Sequence, residues 1–74
     1  MATAPKPVLA SISGTVLRID APLGAHVKTQ DPVVTIEAMR MDMPVEAPKA
    51  GRVAEVRVEP GQFVEEGDIV ALIE

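Results

Sequence analysis

The chain has 74 residues, a net charge of −4, no cysteine and a single aromatic residue, Phe63. A domain this short buries only about 60% of the surface its unfolded chain exposes, so without disulfides its fold has to be regular and economical. The missing cysteines also remove thiolate zinc sites and cysteine nucleophiles, and the interleaved charges offer neither the basic stripe nor the stacking aromatics that nucleic acid requires.

Residues 1–7 lack hydrophobic periodicity and contain no apolar h-region of a signal peptide. With Pro5 and Pro7 flanking Lys6 they cannot pair as a central strand, and they are expected to form a flexible tail or linker remnant ahead of a folded unit spanning 8–74. No run of 18 or more apolar residues follows, so the expectation is a cytoplasmic, soluble domain without a membrane span. From Val8 onward, short Val- and Ile-rich runs alternate with Gly, Pro and Asp. This pattern predicts strands at about 8–12, 15–21, 26–28, 33–38, 42–47, 52–58, 63–64 and 69–74.

Along the second strand Leu17, Ile19 and Ala21 alternate with Arg18 and Asp20, which places the three apolar residues on the core face. Gly24 follows Leu23 in a tight turn expected to need positive φ. His26, on the short third strand, is expected half-buried and without a catalytic role; a lone histidine cannot assemble a metal site. Residues 37–46 are not helical because Pro44 interrupts them, and that proline marks the fifth strand as an edge or bulge. In the sixth strand Ala54, Val56 and Val58 repeat the core-facing alternation against Glu55 and Arg57, and Gly61 after Pro60 repeats the tight turn.

A shift of 37 positions lays the second half of the chain on the first without a gap. Gly14 falls on Gly51, Val16 on Val53, Ile19 on Val56, Gly24 on Gly61, Val27 on Val64, Asp31 on Asp68, Val33 on Val70, Ile36 on Ile73 and Glu37 on Glu74. Each unit alone is too small to bury an apolar face, so the two are expected to pack about a pseudo-twofold axis. The expected fold is all-β, a flattened barrel or barrel-sandwich hybrid of two four-stranded sheets. Because Glu37 corresponds to the chain terminus, the first unit must continue past it and turn back. Arg40 is thereby placed on an exposed hairpin tip at the opposite end from the termini.

Glu37-Ala38-Met39-Arg40-Met41, followed by Pro44-Val45-Glu46-Ala47-Pro48 and Gly51, closely resembles the biotinyl domain of biotin-dependent carboxylases and decarboxylases. In that family the motif is Ala-Met-Lys-Met on a β-hairpin turn of a flattened barrel with an internal twofold. The resemblance extends from Val8 onward, and the stretch Met41-Asp42-Met43-Pro44-Val45 looks most like the small, free-standing members; nothing between Ala21 and Val27 is long enough for the extra thumb loop of some bacterial acetyl-CoA carboxylase carriers. It implies a non-catalytic carrier that moves carboxybiotin between a biotin carboxylase and a carboxyltransferase or decarboxylase site. It also implies recognition of Glu37, Ala38, Met39 and Met41 by a biotin protein ligase, with position 40 as the attachment point. A lipoyl carrier, or a structural module of the same fold without a cofactor, is expected to lack the methionine pair.

The departure from the family is the nucleophile. A free lysine amine, with pKa near 10.4, is neutral about 0.4% of the time at pH 8, which suffices when base and proximity assist its attack on biotinyl-adenylate. An arginine side chain is neutral roughly 10² to 10³ times less often, and its lone pairs are delocalised. Biotin is therefore the cofactor of the family but is not expected on Arg40. Lys49, in the Pro48 to Gly51 turn, is no substitute, because it lacks the flanking methionines and its repeat mate Ile12 is not at a hairpin tip. The acidic, compact surface is expected to leave the chain monomeric in isolation.

Overall fold

The structure, a computed structural model, describes residues 4–74. The first three residues of the expected tail therefore lie outside the described residues. Eight strands form in the expected order: β1 Lys6–Leu9, β2 Gly14–Ile19, β3 His26–Val27, β4 Pro32–Ala38, β5 Met41–Glu46, β6 Gly51–Val56, β7 Phe63–Val64 and β8 Ile69–Ile73. The first begins two residues earlier than expected, with Pro7 accommodated because β1 is an edge strand. Among the described residues there is no helix, and so none long and apolar enough to cross a membrane.

Two antiparallel sheets result, one ordered β1-β8-β6-β3 and the other β5-β4-β2-β7. Adding 37 positions turns β1, β2, β3 and β4 into β5, β6, β7 and β8, so the half-repeat maps one sheet strand by strand onto the other. The correspondence reaches individual hydrogen bonds. Gly24 N–H donates to the Val53 carbonyl at 2.8 Å, and its mate Gly61 N–H donates to the Val16 carbonyl at 2.7 Å. The Asp31 carboxylate accepts from Lys28 N–H at 2.9 Å, and the Asp68 carboxylate accepts from Glu65 N–H at the same distance. Each aspartate is the last residue of a four-residue turn that its own N–H also closes, Asp31 donating to the Lys28 carbonyl and Asp68 to the Glu65 carbonyl, so the two turns are equivalent.

Each half sends strands into both sheets, so neither half has a core of its own. The shared core is built mainly from valine: Val8, Val53, Val70 and Ile73 from one sheet face Val16, Val34, Ile36, Val45 and Val64 from the other, all fully or almost fully buried. Short β-branched side chains fill the narrow space between two sheets without aromatic bulk. No ladder joins the edge strands β1 and β5 among the described residues, so the assembly is a barrel-like sandwich rather than a closed barrel. Pro7 on β1 and Pro44 on β5 remove N–H donors from these two edges, which protects them from further pairing.

The expected core face of β2 and β6 requires correction. Val16 is 1% exposed while Leu17 is 36% exposed, and Val53 is buried while Ala54 is only half-buried. The register explains both: Val16 pairs with Ile36 and Arg18 with Thr35, leaving Leu17 as an extra residue, and Ala54 is skipped in the same way between Val53 and Glu55. A bulge breaks the period of two, so the side chains before it point inward one position earlier than unbroken alternation predicts. Past the bulges the phase recovers; Ala21 and Val58 are buried, and Ile19 and Val56 pack against the core.

Gly24 and Gly61 have φ of 88° and 90°, as their turns require. Gly14 and Gly51 serve a different purpose. A Cβ on Gly14 would lie 2.3 Å from the Glu37 carbonyl oxygen, and one on Gly51 would lie 2.1 Å from that of Glu74, so at both places the neighbouring strand's backbone leaves no room for a side chain.

Candidate functional site

The β4–β5 hairpin carries the candidate site. Its ladder runs through Thr35–Pro44, Ile36–Met43 and Glu37–Asp42 to Ala38–Met41, and only Met39 and Arg40 remain for the loop. Both adopt positive φ, 52° and 63°. Two-residue hairpin loops take this left-handed form because its twist matches that of the flanking strands, and the residues that usually supply it are Asn-Gly or Asp-Gly. Here two long side chains occupy it, at a cost of about 1–2 kcal/mol each.

That backbone projects the tip side chains into solvent. Met39 is 89% exposed and Met41 61%, and Arg40 is exposed as well. Ala38 is buried, so its small side chain packs inward beneath the turn. Of the residues expected to form the site, Glu37, Met39, Arg40 and Met41 thus present their side chains at the tip, while Ala38 supports it from below.

The ion pairs of the described residues are Arg18–Asp20, Arg52–Glu74 and Glu55–Arg57, and Arg40 belongs to none of them. At the other end of the molecule Arg52 holds Glu74. The mates of these two are Thr15 and Glu37, which face each other across β2 and β4 with no cation supplied. Glu37 also lies opposite Asp42, so the base of the tip carries two like charges in register. The row continues through Thr15 to Phe63 on β7, whose ring is 63% exposed. Its repeat mate, His26, is also exposed rather than half-buried. On these two-residue strands Val27 and Val64 take the inward positions, which turns His26 and Phe63 outward.

The opposite end holds both termini. Lys6 pairs with Ile73, and Lys6 and Pro7 line a surface hollow with Glu46 and Pro48, at the far end of β5 from the tip. Five residue steps along the strand separate Met41 from Glu46, about 17 Å. Lys49 belongs to this remote end, since β6 starts two residues later beside Glu74. None of the three lysines, Lys6, Lys28 and Lys49, lies on the tip.

Sequence reasoning missed the strained turn. It also missed a small polar network on β2 and β4, in which buried Thr35 donates its hydroxyl to Asp20 Oδ2 at 2.6 Å while Arg18 Nε donates to Asp20 Oδ1 at 3.1 Å. The half-repeat held a hint of the second, because Arg18 and Asp20 fall on Glu55 and Arg57, an ion pair of inverted sign.

The family described as "Biotin-requiring enzyme" matches residues 3–73. The chain belongs to that family. It is 36% identical over 72 residues to a pyruvate carboxylase of Bacillus subtilis (strain 168), which covers 97% of this chain and 6% of that protein. It is also 36% identical over 66 residues to the biotinylated protein TB7.3 homolog of Mycobacterium leprae (strain TN), covering 89% of this chain and 93% of that one. Among solved structures, the urea carboxylase of Kluyveromyces lactis superimposes with a TM-score of 0.92 at 34% identity, over 100% of this chain and 6% of that chain. The chain thus spans a small part of the carboxylases it matches and most of the small biotinylated protein. It is a biotinyl-type carrier domain, a non-catalytic unit, and the expected two-sheet architecture is the one its relatives share.

Proposed function

We propose that this chain is the carrier domain of a biotin-dependent carboxylase or decarboxylase, presented to its partner enzymes at the Met39–Arg40 tip in a permanently apo form. The observation that carries this reading is the tip: a strained two-residue loop that exposes Arg40 between two methionines, about 17 Å from the end where the chain enters and leaves. Residues ahead of Lys6 act as the tether in this reading, and the unit from Lys6 onward, where β1 begins, is the carrier.

In this reading a biotin protein ligase contacts Glu37, Met39 and Met41, with Ala38 setting the backbone beneath them. Exposed thioethers supply an adaptable apolar surface for that contact. Biotin carboxylase and carboxyltransferase subunits or domains are the further partners, and the carrier is a monomer in isolation. The residues present do not fit covalent biotin. Acylation needs a neutral amine at the tip, and the only nitrogen-bearing side chain there is the Arg40 guanidinium.

The test is intact-mass measurement after incubating the chain and its Arg40→Lys variant with a biotin protein ligase, ATP and biotin. The expected result is one biotinyl group on the variant and none on the parent. A variant that gains nothing refutes the carrier reading, and a parent that gains an adduct refutes the assignment of Arg40.

A further inference from the structure

We infer that this chain inhibits the loading of lysine-bearing carriers by occupying the enzyme that acylates them, an inference that rests on the carrier reading above. Arg40 stands in a loop whose backbone is dictated by the ladder beneath it. Ala38 pairs with Met41 and Glu37 with Asp42, so both central residues are held at positive φ whatever their side chains. The surface an acylating enzyme meets before any chemistry is therefore complete: an exposed Met39, an exposed Met41, a positive charge between them and the carboxylate of Glu37 behind. Among the described residues no carboxylate forms an ion pair with that charge.

What differs is met only at the reacting atoms. Along the side chain the arginine Nε takes the place of the lysine Cε, and Cζ takes the place of the attacking Nζ. Cζ is an electron-poor planar carbon without a lone pair, so no bond to the acyl carbon forms. The two terminal nitrogens reach one bond further, toward the phosphate of an acyl-adenylate, and a guanidinium is suited to donate two parallel hydrogen bonds to such a group. Arginine at this position thus keeps the docking interactions, gains a contact to the activated donor and lacks the step that releases the product. A dead-end complex with the adenylate-charged enzyme follows. The partner is any enzyme that carries a biotinyl-adenylate and accepts the Met-flanked tip.

The two chains can compete in one tube, because the Arg40→Lys variant differs from the parent in mass and serves as acceptor while the parent serves as inhibitor. The expected result is competitive inhibition. Parent chain at about ten times the acceptor KM raises the apparent KM roughly tenfold or more and leaves kcat unchanged. Two altered competitors locate the effect. Met39→Asp places a charge on a side chain that touches little else and abolishes inhibition. Arg40→Ala keeps the methionines and inhibits about tenfold more weakly, as the loss of a charge-assisted contact predicts. Thermal melts show that both remain folded.

If the Arg40→Lys chain is biotinylated at an unchanged rate in the presence of excess parent, the inference is overturned while the carrier reading stands. Inhibition that survives Met39→Asp also overturns it, because the complex then does not involve the tip. Inhibition undiminished in Arg40→Ala overturns the guanidinium–phosphate contact, since both side chains lack the attacking amine and only arginine can make that contact. An Arg40→Lys chain that accepts no biotin from an active ligase refutes the carrier reading itself.

Discussion

Replacing Met39 by Asn and Arg40 by Gly is expected to make the domain more stable while removing the side chains that its tip displays. Both residues sit in the left-handed region, at φ 52° and 63°, where an ordinary L-residue costs about 1–2 kcal/mol. Asparagine tolerates that region, and glycine enters it freely but loses about 0.5–1 kcal/mol more backbone entropy on folding. Packing hardly enters the balance, since Met39 is 89% exposed and Arg40 is exposed and outside the ion pairs of the described residues. The net gain is about 1–2 kcal/mol, and a domain of this size gains roughly 4–8 °C in Tm per kcal/mol, so the melt should rise by about 4–16 °C. Calorimetry measures the shift, and urea unfolding should show a higher midpoint with an unchanged m-value. Cross-strand contacts between Ala38 and Met41 in NMR spectra check that the hairpin persists. A double variant with an intact hairpin and a Tm equal to or below the parent's would show that the turn stores no strain. The same variant should no longer compete for the acylating enzyme, since stability would have been gained at the expense of the surface that docks.

Two further substitutions probe the framework under the tip. Gly14→Ala puts a methyl group 2.3 Å from the Glu37 carbonyl oxygen and 2.8 Å from Ile36 Cγ2. Because a central strand cannot move aside cheaply, the cost is about 2–3 kcal/mol, read as a Tm lower by roughly 8–24 °C; a parent-like melt would refute the close approach. Thr35→Val removes the 2.6 Å hydroxyl donor of the half-buried Asp20 with little change of shape. It should cost about 1–3 kcal/mol in urea unfolding, and a change below about 0.5 kcal/mol would show that the bond contributes nothing net.

The strands were legible in the sequence because their apolar runs are short, rich in valine and isoleucine, and bounded by glycine, proline and aspartate. Pro44 correctly placed β5 on an edge, since a residue without N–H has no use in the middle of a ladder. The half-repeat contributed more, because an alignment of the chain on itself carries three-dimensional information: it points to Arg40 as a tip residue independently of any family motif. Leu17 and Ala54 were misread for a physical reason. A bulge inserts one residue into a strand, and nothing in the residue types announces it. The roles of Gly14 and Gly51 were hidden in the same way. A repeated glycine suggests a turn, whereas here it permits a close approach to the neighbouring strand, and Glu37 lies 23 positions from Gly14 in the chain.

Periodicity, the 37-residue repeat and the Met-Arg-Met motif determine by themselves an all-β fold of two equivalent halves with the motif on a hairpin. Those features are local or repeated, so residue order alone specifies them. Only the tertiary structure decides how the tip is held. Met39 and Arg40 are forced to positive φ because Ala38 and Met41 are the last residues the ladder can pair, leaving two positions in which to reverse the chain. The bare carboxylates of Glu37 and Asp42 are likewise a matter of register across three strands, since Thr15 stands where the other half supplies Arg52. Register depends on which residues meet, and residues far apart in sequence meet only once the two sheets have closed over their common core.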